Sequence, residues 1–382
     1  MAISTIILTV NTGSSSVRLA AFSSDGTKTA ELASERLDSS NGGDPAGHLQ
    51  GFIRKHGLSH IRVVAHRVVH GGLRLTESCL LDQRTENEIE SLARLAPLHN
   101  PVALRWIRAS RGMLGADVSQ VAVFDTAFFA TLPQIARVYA IPSALSERHG
   151  LYRYGFHGLA HQAMWRGWRE RNPDNRRSGK LVSLQLGAGC SITAIEDGSP
   201  RDTSMGFSPL EGLMMATRSG DIDAGLVLFL QQEEKMPPDG LNRLLNEHSG
   251  LLGFSGISSD MRRLLESESE RAGFAVDLFC YRVRKYVGAY LAVLEGADAI
   301  VFGGGVGENM PAVREKILRG MEWCGIEIDM EKNRNSSGAA CISRETSKAE
   351  VWVIPVNEAI ALANEAMKVI SEGKQTKEDT HA

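Results

Sequence analysis

The clearest regularity at the start of the chain is a run of apolar positions broken by one polar turn. Ile6–Val10 is β-branched and apolar, Asn11-Thr12-Gly13-Ser14-Ser15-Ser16 follows, and Val17–Phe22 alternates again before Asp25-Gly26. This predicts a strand, a turn and a returning strand. The pattern recurs far downstream. Lys180–Leu186 reads as a strand, Gly187-Ala188-Gly189-Cys190-Ser191 as a turn, and Ile192–Ile195 as the return before Asp197-Gly198. Two such hairpins, each opening one half of the chain, point to an internal duplication. A third glycine-rich turn, Gly303-Gly304-Gly305-Val306-Gly307, follows the strand Ala299–Phe302.

Between the strands the apolar spacing becomes helical. Glu86–Leu95 carries Ile89, Leu92, Ala93 and Leu95 on one face. After a turn at Pro97–Asn100, Asn100-Pro101 reads as an N-cap followed by proline at the first helical position. Val276–Leu294 has helical spacing, Trp352–Pro355 is a short strand, and Asn357 can cap a helix running to about Ile370. Ser39–Gly47 and Pro173–Gly179 read as loops, and Glu372–Ala382 as a polar, frayed tail. Alternating strands and helices give an α/β class. At 382 residues the chain exceeds one hydrophobic core, so two domains are expected.

Composition narrows the field. A net charge of -3 gives no reason to expect nucleic acid or an anionic membrane as partner. The longest weakly polar run, Val287 to Gly307, contains Glu295 and Asp298, so it predicts buried helix, strand and loop rather than a membrane span. Met-Ala leads directly into a strand-like run with no basic region or cleavage site, so a cytoplasmic location is expected. Five cysteines without CxxC spacing fit reduced thiols rather than zinc or disulfides.

Three glycine and serine turns after strands could each offer converging backbone N–H groups to phosphate, although a hairpin alone accounts for any one of them. No GxxxxGK[ST] occurs, and the Gly303–Gly307 run lacks the third glycine of GxGxxG. Charges in apolar settings say more. Arg67 lies inside the buried-looking run Val63–Val69, which calls for an anion or an internal carboxylate partner. Asp125 ends the apolar strand Val121–Phe124, either as a functional carboxylate or as a helix cap. Arg218 sits in the polar turn Met215–Asp221. His66/His70 and His157/His161 are each four apart, but the first pair falls in a strand-like run, where zinc is disfavoured. His157, between aromatic residues and glycines, reads as a structural histidine or an active-site donor.

Nine collinear segments resemble the acetate kinase family, which includes acetate and propionate kinases. They are VNTGSSSVR at Val10–Arg18, HRVVHGG at His66–Gly72, APLHNP at Ala96–Pro101 and VFDTAF at Val123–Phe128. YGFHG at Tyr154–Gly158, DTSMGFSPLEGLMMATRSGDID at Asp202–Asp223, SSDMR at Ser258–Arg262, GVGEN at Gly305–Asn309 and IPVNE at Ile354–Glu358 complete the set. The resemblance implies the fold of the actin, sugar-kinase and heat-shock-chaperone ATPases. That fold has two duplicated ribonuclease H-like α/β domains, here 1–127 with 359–382 and the nucleotide-binding 128–358, with a nucleotide cleft between them. It also implies ATP or ADP as co-substrate, Mg²⁺ with Mn²⁺ as the alternative ion, a short carboxylic acid as acceptor, and a homodimer.

By the same resemblance Asn11 and Glu358 hold the metal directly or through water, and Arg18 replaces a family lysine near the phosphates. Arg67 and Arg218 flank the acid and the transferring group, Asp125 is the catalytic carboxylate, and His157 donates to phosphoryl oxygens. Val69, Leu98, Phe156 and Pro209 line the pocket for the alkyl end. Asp260, Met261 and Arg262 receive adenosine with Gly305, Val306, Gly307, Glu308 and Asn309. The second phosphate turn is where the chain departs from its relatives. The family's HLGNG is here Gln185-Leu186-Gly187-Ala188-Gly189, followed by Cys190 at a serine position. Leu159-Ala160 replace Thr-Ser after the FHG triplet, and Phe129 replaces a histidine.

Because a carboxylate is ionised at neutral pH it needs no general base, and the obstacle to transfer is repulsion between two anions. A carboxylate kinase therefore leads. A sugar kinase would need a base and a polar pocket. A weakened or non-catalytic nucleotide-binding paralogue, or a kinase with another donor or acid, is the reading that the altered turn motivates.

Overall fold

The computed structural model describes residues 5–13, 16–25, 28–38, 43–173 and 178–379, the last seven of these as backbone only. Ser14, Ser15 and Gly26 of the predicted turns, and parts of both predicted loops, lie outside the described residues. The chain divides into two compact units, residues 1–130 with 357–382, and residues 131–356.

The first unit is built on β1 (Thr5–Thr12), β2 (Ser16–Ser24), β3 (Thr29–Asp38), β4 (Ile61–Val68), β5 (Cys79–Leu80) and β6 (Ser119–Phe124), in the order β3-β2-β1-β4-β6-β5. The first three strands form an antiparallel meander, β4 and β6 continue it in parallel, and β5 closes the edge antiparallel. The second unit repeats the plan with β7 (Lys180–Leu186), β8 (Cys190–Glu196), β9 (Ser199–Thr203), β10 (Ala299–Gly303), β11 (Ala340–Cys341) and β12 (Glu350–Val353). Its order is β11-β12-β10-β7-β8-β9, again with an antiparallel meander, two parallel strands and an antiparallel edge. The expected duplication is thus present strand for strand.

Each sheet is covered by amphipathic helices that bury their apolar stripes. Leu8, Val10 and Leu19 of the first sheet pack with Leu49 and Phe52 of the helix Pro45–Lys55 and with Trp106 of Asn100–Leu114. Side chains of this size each contribute roughly 1.5–3 kcal/mol by burial. The helix Glu358–Asp379 packs on β1 and β4, with Asn357 accepting from Ala359 and Ile360 N–H as its cap. Among the described residues no helix is long and apolar enough to cross a membrane.

Several expectations need correction. Ser39–Gly47 is not all loop, because Asp44 caps a helix that starts at Pro45. The stretch Glu86–Leu95 is a helix over Gln83–Ser91 followed by a 3-10 turn. Asn100 does not cap its helix. Its buried amide instead accepts from His70 N–H at 3.2 Å and donates to His70 C=O at 3.0 Å, a long-range demand that outweighs the local capping preference. The Gly303–Gly307 turn is the end of β10 running into a short helix, Gly304–Asn309. The last helix continues past Ile370 to Asp379.

Candidate functional site

In the first unit the ends of β1, β4 and β6 and the start of the last helix bring four polar side chains together. Arg67, near the end of β4, donates from Nε to Asp125 Oδ1 at 2.9 Å and from Nη2 to Asp125 Oδ2 at 2.6 Å. Its Nη1 donates to Asn11 Oδ1 at 3.0 Å and lies 3.6 Å from Glu358 Oε2, which accepts from Asn11 Nδ2 at 2.8 Å. Burial alone would lower the Arg67 pKa, but Asp125 and Glu358 beside it hold it above the ordinary arginine range. Of the anion or internal carboxylate that the sequence called for, the structure supplies the carboxylate, Asp125. Three of the five guanidinium N–H groups are used in hydrogen bonds, so among the described residues two remain to meet a ligand.

Two carboxylates and an amide oxygen around one arginine are hard oxygen donors of the kind Mg²⁺ accepts together with phosphate and water. Among the described residues no three His, Cys, Asp or Glu side chains gather to hold a metal by themselves. The donor set thus fits an ion that also takes substrate oxygens. Val69 is buried nearby in sequence, whereas Leu98 is half exposed. Arg18 on β2 is 40% exposed and sits 3.7 Å from Glu31.

In the second unit the β7–β8 turn, residue His157 and residue Arg218 form a separate cluster. His157 caps the helix Gly158–Arg171 with a left-handed backbone (φ 59), a conformation that is uncommon for a non-glycine residue. Its Nδ1 lies 2.9 Å from Ser191 Oγ. A Cβ placed on Gly189 would stand 3.3 Å from His157 Nε2 and 3.7 Å from Arg218 Nη1, so a side chain at the turn would press on the His157 ring. Arg218 Nη1 donates to Pro209 C=O at 3.0 Å, and among the described residues Arg218 forms no ion pair. Burial draws its pKa below the ordinary arginine range, with Cys190 opposing. Burial also pushes the Cys190 thiol up to about 12, so it remains a neutral lining group. Phe156 is fully buried.

Both segments that the resemblance assigns to adenosine are engaged internally. Glu308 Oε1 accepts from Gly304 N–H at 2.8 Å and Val356 N–H at 3.0 Å, and the carbonyls of Gly307 and Glu308 accept from the buried Arg314. Asn309 donates to Gly305 C=O and Met310 N–H to Val306 C=O, so both carbonyls of the short helix are engaged. Asp260 caps the helix Met261–Leu265 through Arg262 N–H, Met261 is buried, and Arg262 is exposed. Gln185, at the end of β7, buries an Oε1 that has no hydrogen-bond partner among the described residues, while Leu186 and Gly187 carry the turn onward to Ala188. Ser191 and His161 were missed by the reading of the sequence, and only the four-residue spacing of the two histidines hinted at them.

The model of the acetokinase family matches residues 46–364. The acetate kinase of Chloroherpeton thalassium is 47% identical over 319 residues, covering 82% of this chain and 76% of that protein. The acetate kinase of Solibacter usitatus is 43% identical, covering 85% and 80%. Among solved structures, Porphyromonas gingivalis acetate kinase aligns with TM-score 0.85 and 34% identity over 96% of this chain and 100% of that one. A propionate kinase from Francisella tularensis aligns with TM-score 0.86 and 33% identity over the same shares. On the extent of these matches the chain belongs to the acetokinase family.

Proposed function

We propose that the chain transfers the terminal phosphoryl group of ATP to acetate, and to propionate as a close alternative, giving the acyl phosphate and ADP in a reversible in-line reaction. The observation that carries this reading is Arg218, largely buried beside His157 and the Gly187–Gly189 turn and, among the described residues, without a carboxylate partner. A desolvated guanidinium left unpaired by the protein is suited to an anionic substrate.

The chemistry sets the roles. The acid arrives ionised, so charge must be offset rather than a proton removed. The reading assigns Arg67 to the acid and the transferring group, with Asp125 orienting Arg67 through its two-point pair. His157 and Arg218 donate to the phosphoryl oxygens. Asn11 and Glu358 would hold Mg²⁺, which supplies further charge compensation when bound. Val69, Phe156 and Pro209 suit a small alkyl end, while the exposure of Leu98 gives that residue less support. Acetate and propionate differ by one methylene, worth about 1–3 kcal/mol of discrimination. A homodimer accords with the helix Ala224–Glu233, where Leu226, Leu228 and Phe229 are all about half exposed.

The test is hydroxylamine trapping of acyl phosphate with ATP, Mg²⁺ and acids of two to four carbons. Acyl hydroxamate from acetate is the expected result. ATP binding without any hydroxamate would overturn the reading in favour of a nucleotide-binding paralogue.

A further inference from the structure

Four side chains in the second unit form one unbroken line of hydrogen bonds. Ser183 Oγ lies 2.6 Å from His161 Nδ1, His161 Nε2 lies 2.7 Å from Ser191 Oγ, and Ser191 Oγ lies 2.9 Å from His157 Nδ1. Ser183, His161 and Ser191 are fully buried. The line follows from register. Gln185 pairs with Ser191 across the β7–β8 hairpin, so Ser183 and Ser191 share a sheet face. His157 and His161 are one turn apart at the start of the helix Gly158–Arg171, which packs on β7.

Counting protons gives the line a direction. Each hydroxyl has one proton, and a neutral imidazole has one N–H. Burial, with His157 adding to it, holds the His161 pKa well below the usual histidine value, so His161 contributes a single N–H. Three arrangements keep every bond. In the first, Ser183 donates to His161 Nδ1, His161 Nε2–H donates to Ser191, and Ser191 donates to His157 Nδ1, which leaves the His157 proton on Nε2. In the second, every bond reverses and the Ser183 proton has nowhere to go. In the third, Ser191 accepts from both histidines, and among the described residues its own buried proton has no acceptor. Among the described residues His161 is the only side-chain hydrogen-bond partner of Ser183 Oγ. An unpaired buried donor costs about 1–3 kcal/mol, which selects the first direction.

We propose that Ser183, His161 and Ser191 are positioning residues that lock neutral His157 in the Nε2–H tautomer, with that proton presented toward Gly189 and Arg218. The proposal rests on the reading of His157 as a donor to the transferring phosphoryl group. A structural histidine needs no particular tautomer, whereas a donor with its proton on Nδ1 would present a lone pair to an anion.

The test is a long-range ¹H–¹⁵N spectrum of the full chain labelled at histidine nitrogens, at about pH 8 where free histidine is neutral. The His157 and His161 signals are assigned by their loss in His157→Gln and His161→Gln. Both residues are expected with Nε2 protonated and Nδ1 as acceptor, and an Nδ1–H at either one overturns the proposal. Ser191→Ala is expected to release His157 into a mixture of tautomers. It should lower kcat about tenfold while KM for acid and ATP stays within about twofold, with Ser191→Thr restoring most of the loss. A fixed Nε2–H tautomer in Ser191→Ala would overturn the relay. If that variant does not fold, the wild-type spectrum decides alone. The spectrum does not depend on turnover, so the expected tautomers in a chain that makes no acyl phosphate would sink the kinase reading and not the relay.

Discussion

Asp125 grips Arg67 at two points, Oδ1 to Nε at 2.9 Å and Oδ2 to Nη2 at 2.6 Å, with both side chains largely withdrawn from water. This two-point grip supports the proposed role of Asp125, orienting a cation rather than accepting a proton. Asp125→Asn keeps the shape but leaves the guanidinium with Glu358 as, among the described residues, its sole nearby carboxylate. The expected outcome is about 3 kcal/mol of lost stability in urea unfolding, together with a fall in kcat. A variant within 0.5 kcal/mol or so of the parent would remove Asp125 from this role.

Among the described residues Arg218 has no such carboxylate, and its replacement separates charge from geometry. Arg218→Lys should depress turnover by about 10²–10³ and leave KM for the acid far less affected. A lysine here would be desolvated, which lowers its pKa and favours the neutral amine. Its residual activity should therefore decline as pH rises through the alkaline range, while the parent stays flat. Equal losses in kcat and acid binding at all pH values would count against a transition-state role.

Gly189 stands where a side chain would press on the His157 ring. Gly189→Ala puts a Cβ 3.3 Å from His157 Nε2, tight enough to move the imidazole by a few tenths of an ångström. Turnover should fall about tenfold with little change in thermal midpoint, because the neighbour that yields is the side chain proposed to donate to the phosphoryl group and not the core. Unchanged kcat in a folded variant would show that His157 Nε2 does not face the reacting group.

Much of this was legible in the sequence because it depends on local periodicity. The hairpins at Ile6–Phe22 and Lys180–Ile195 follow from alternation and turn residues, and they revealed the duplication that the two sheets repeat. A lone arginine in an apolar strand was enough to predict a buried partner for Arg67. Contacts between distant segments were not legible. Asn100 carries the local marks of an N-cap, yet it bonds the His70 backbone thirty residues away in sequence. The line Ser183–His161–Ser191–His157 requires the register between a helix and two strands, which spacing within any one segment cannot give.

Gln185 stands where the family carries histidine, and it buries an amide oxygen with no hydrogen-bond partner among the described residues. Ala188 offers only its backbone N–H. Restoring both family residues, Gln185→His with Ala188→Asn, should add polar contacts at the turn and lower KM for ATP, with kcat for the acid little changed. Steady-state kinetics against ATP at saturating acid would measure it. A KM that stays the same or rises would mean that the turn has been rebuilt for another purpose.

His66 gives the first unit a pH dependence with a definite sign. Its ring is buried, Nε2 donates to Gln120 Oε1 at 2.8 Å, and among the described residues Nδ1 has no hydrogen-bond partner. Protonation would place a second N–H in an apolar core with no acceptor, and burial lowers the His66 pKa to about 4, against a slight opposing pull from Gln120. The unfolded chain, with an ordinary histidine near pKa 6.5, binds the proton first. Stability from His66 is therefore fully present above about pH 6.5 and is lost as pH falls toward 4, by roughly 3 kcal/mol in all. His66→Gln cannot take up a proton, so it should flatten this part of the stability profile even if it lowers stability at neutral pH. Urea unfolding of parent and variant between pH 4.5 and 7.5 or so would show two curves that converge as pH falls. Parallel curves would mean that His66 titrates alike in the folded and unfolded states.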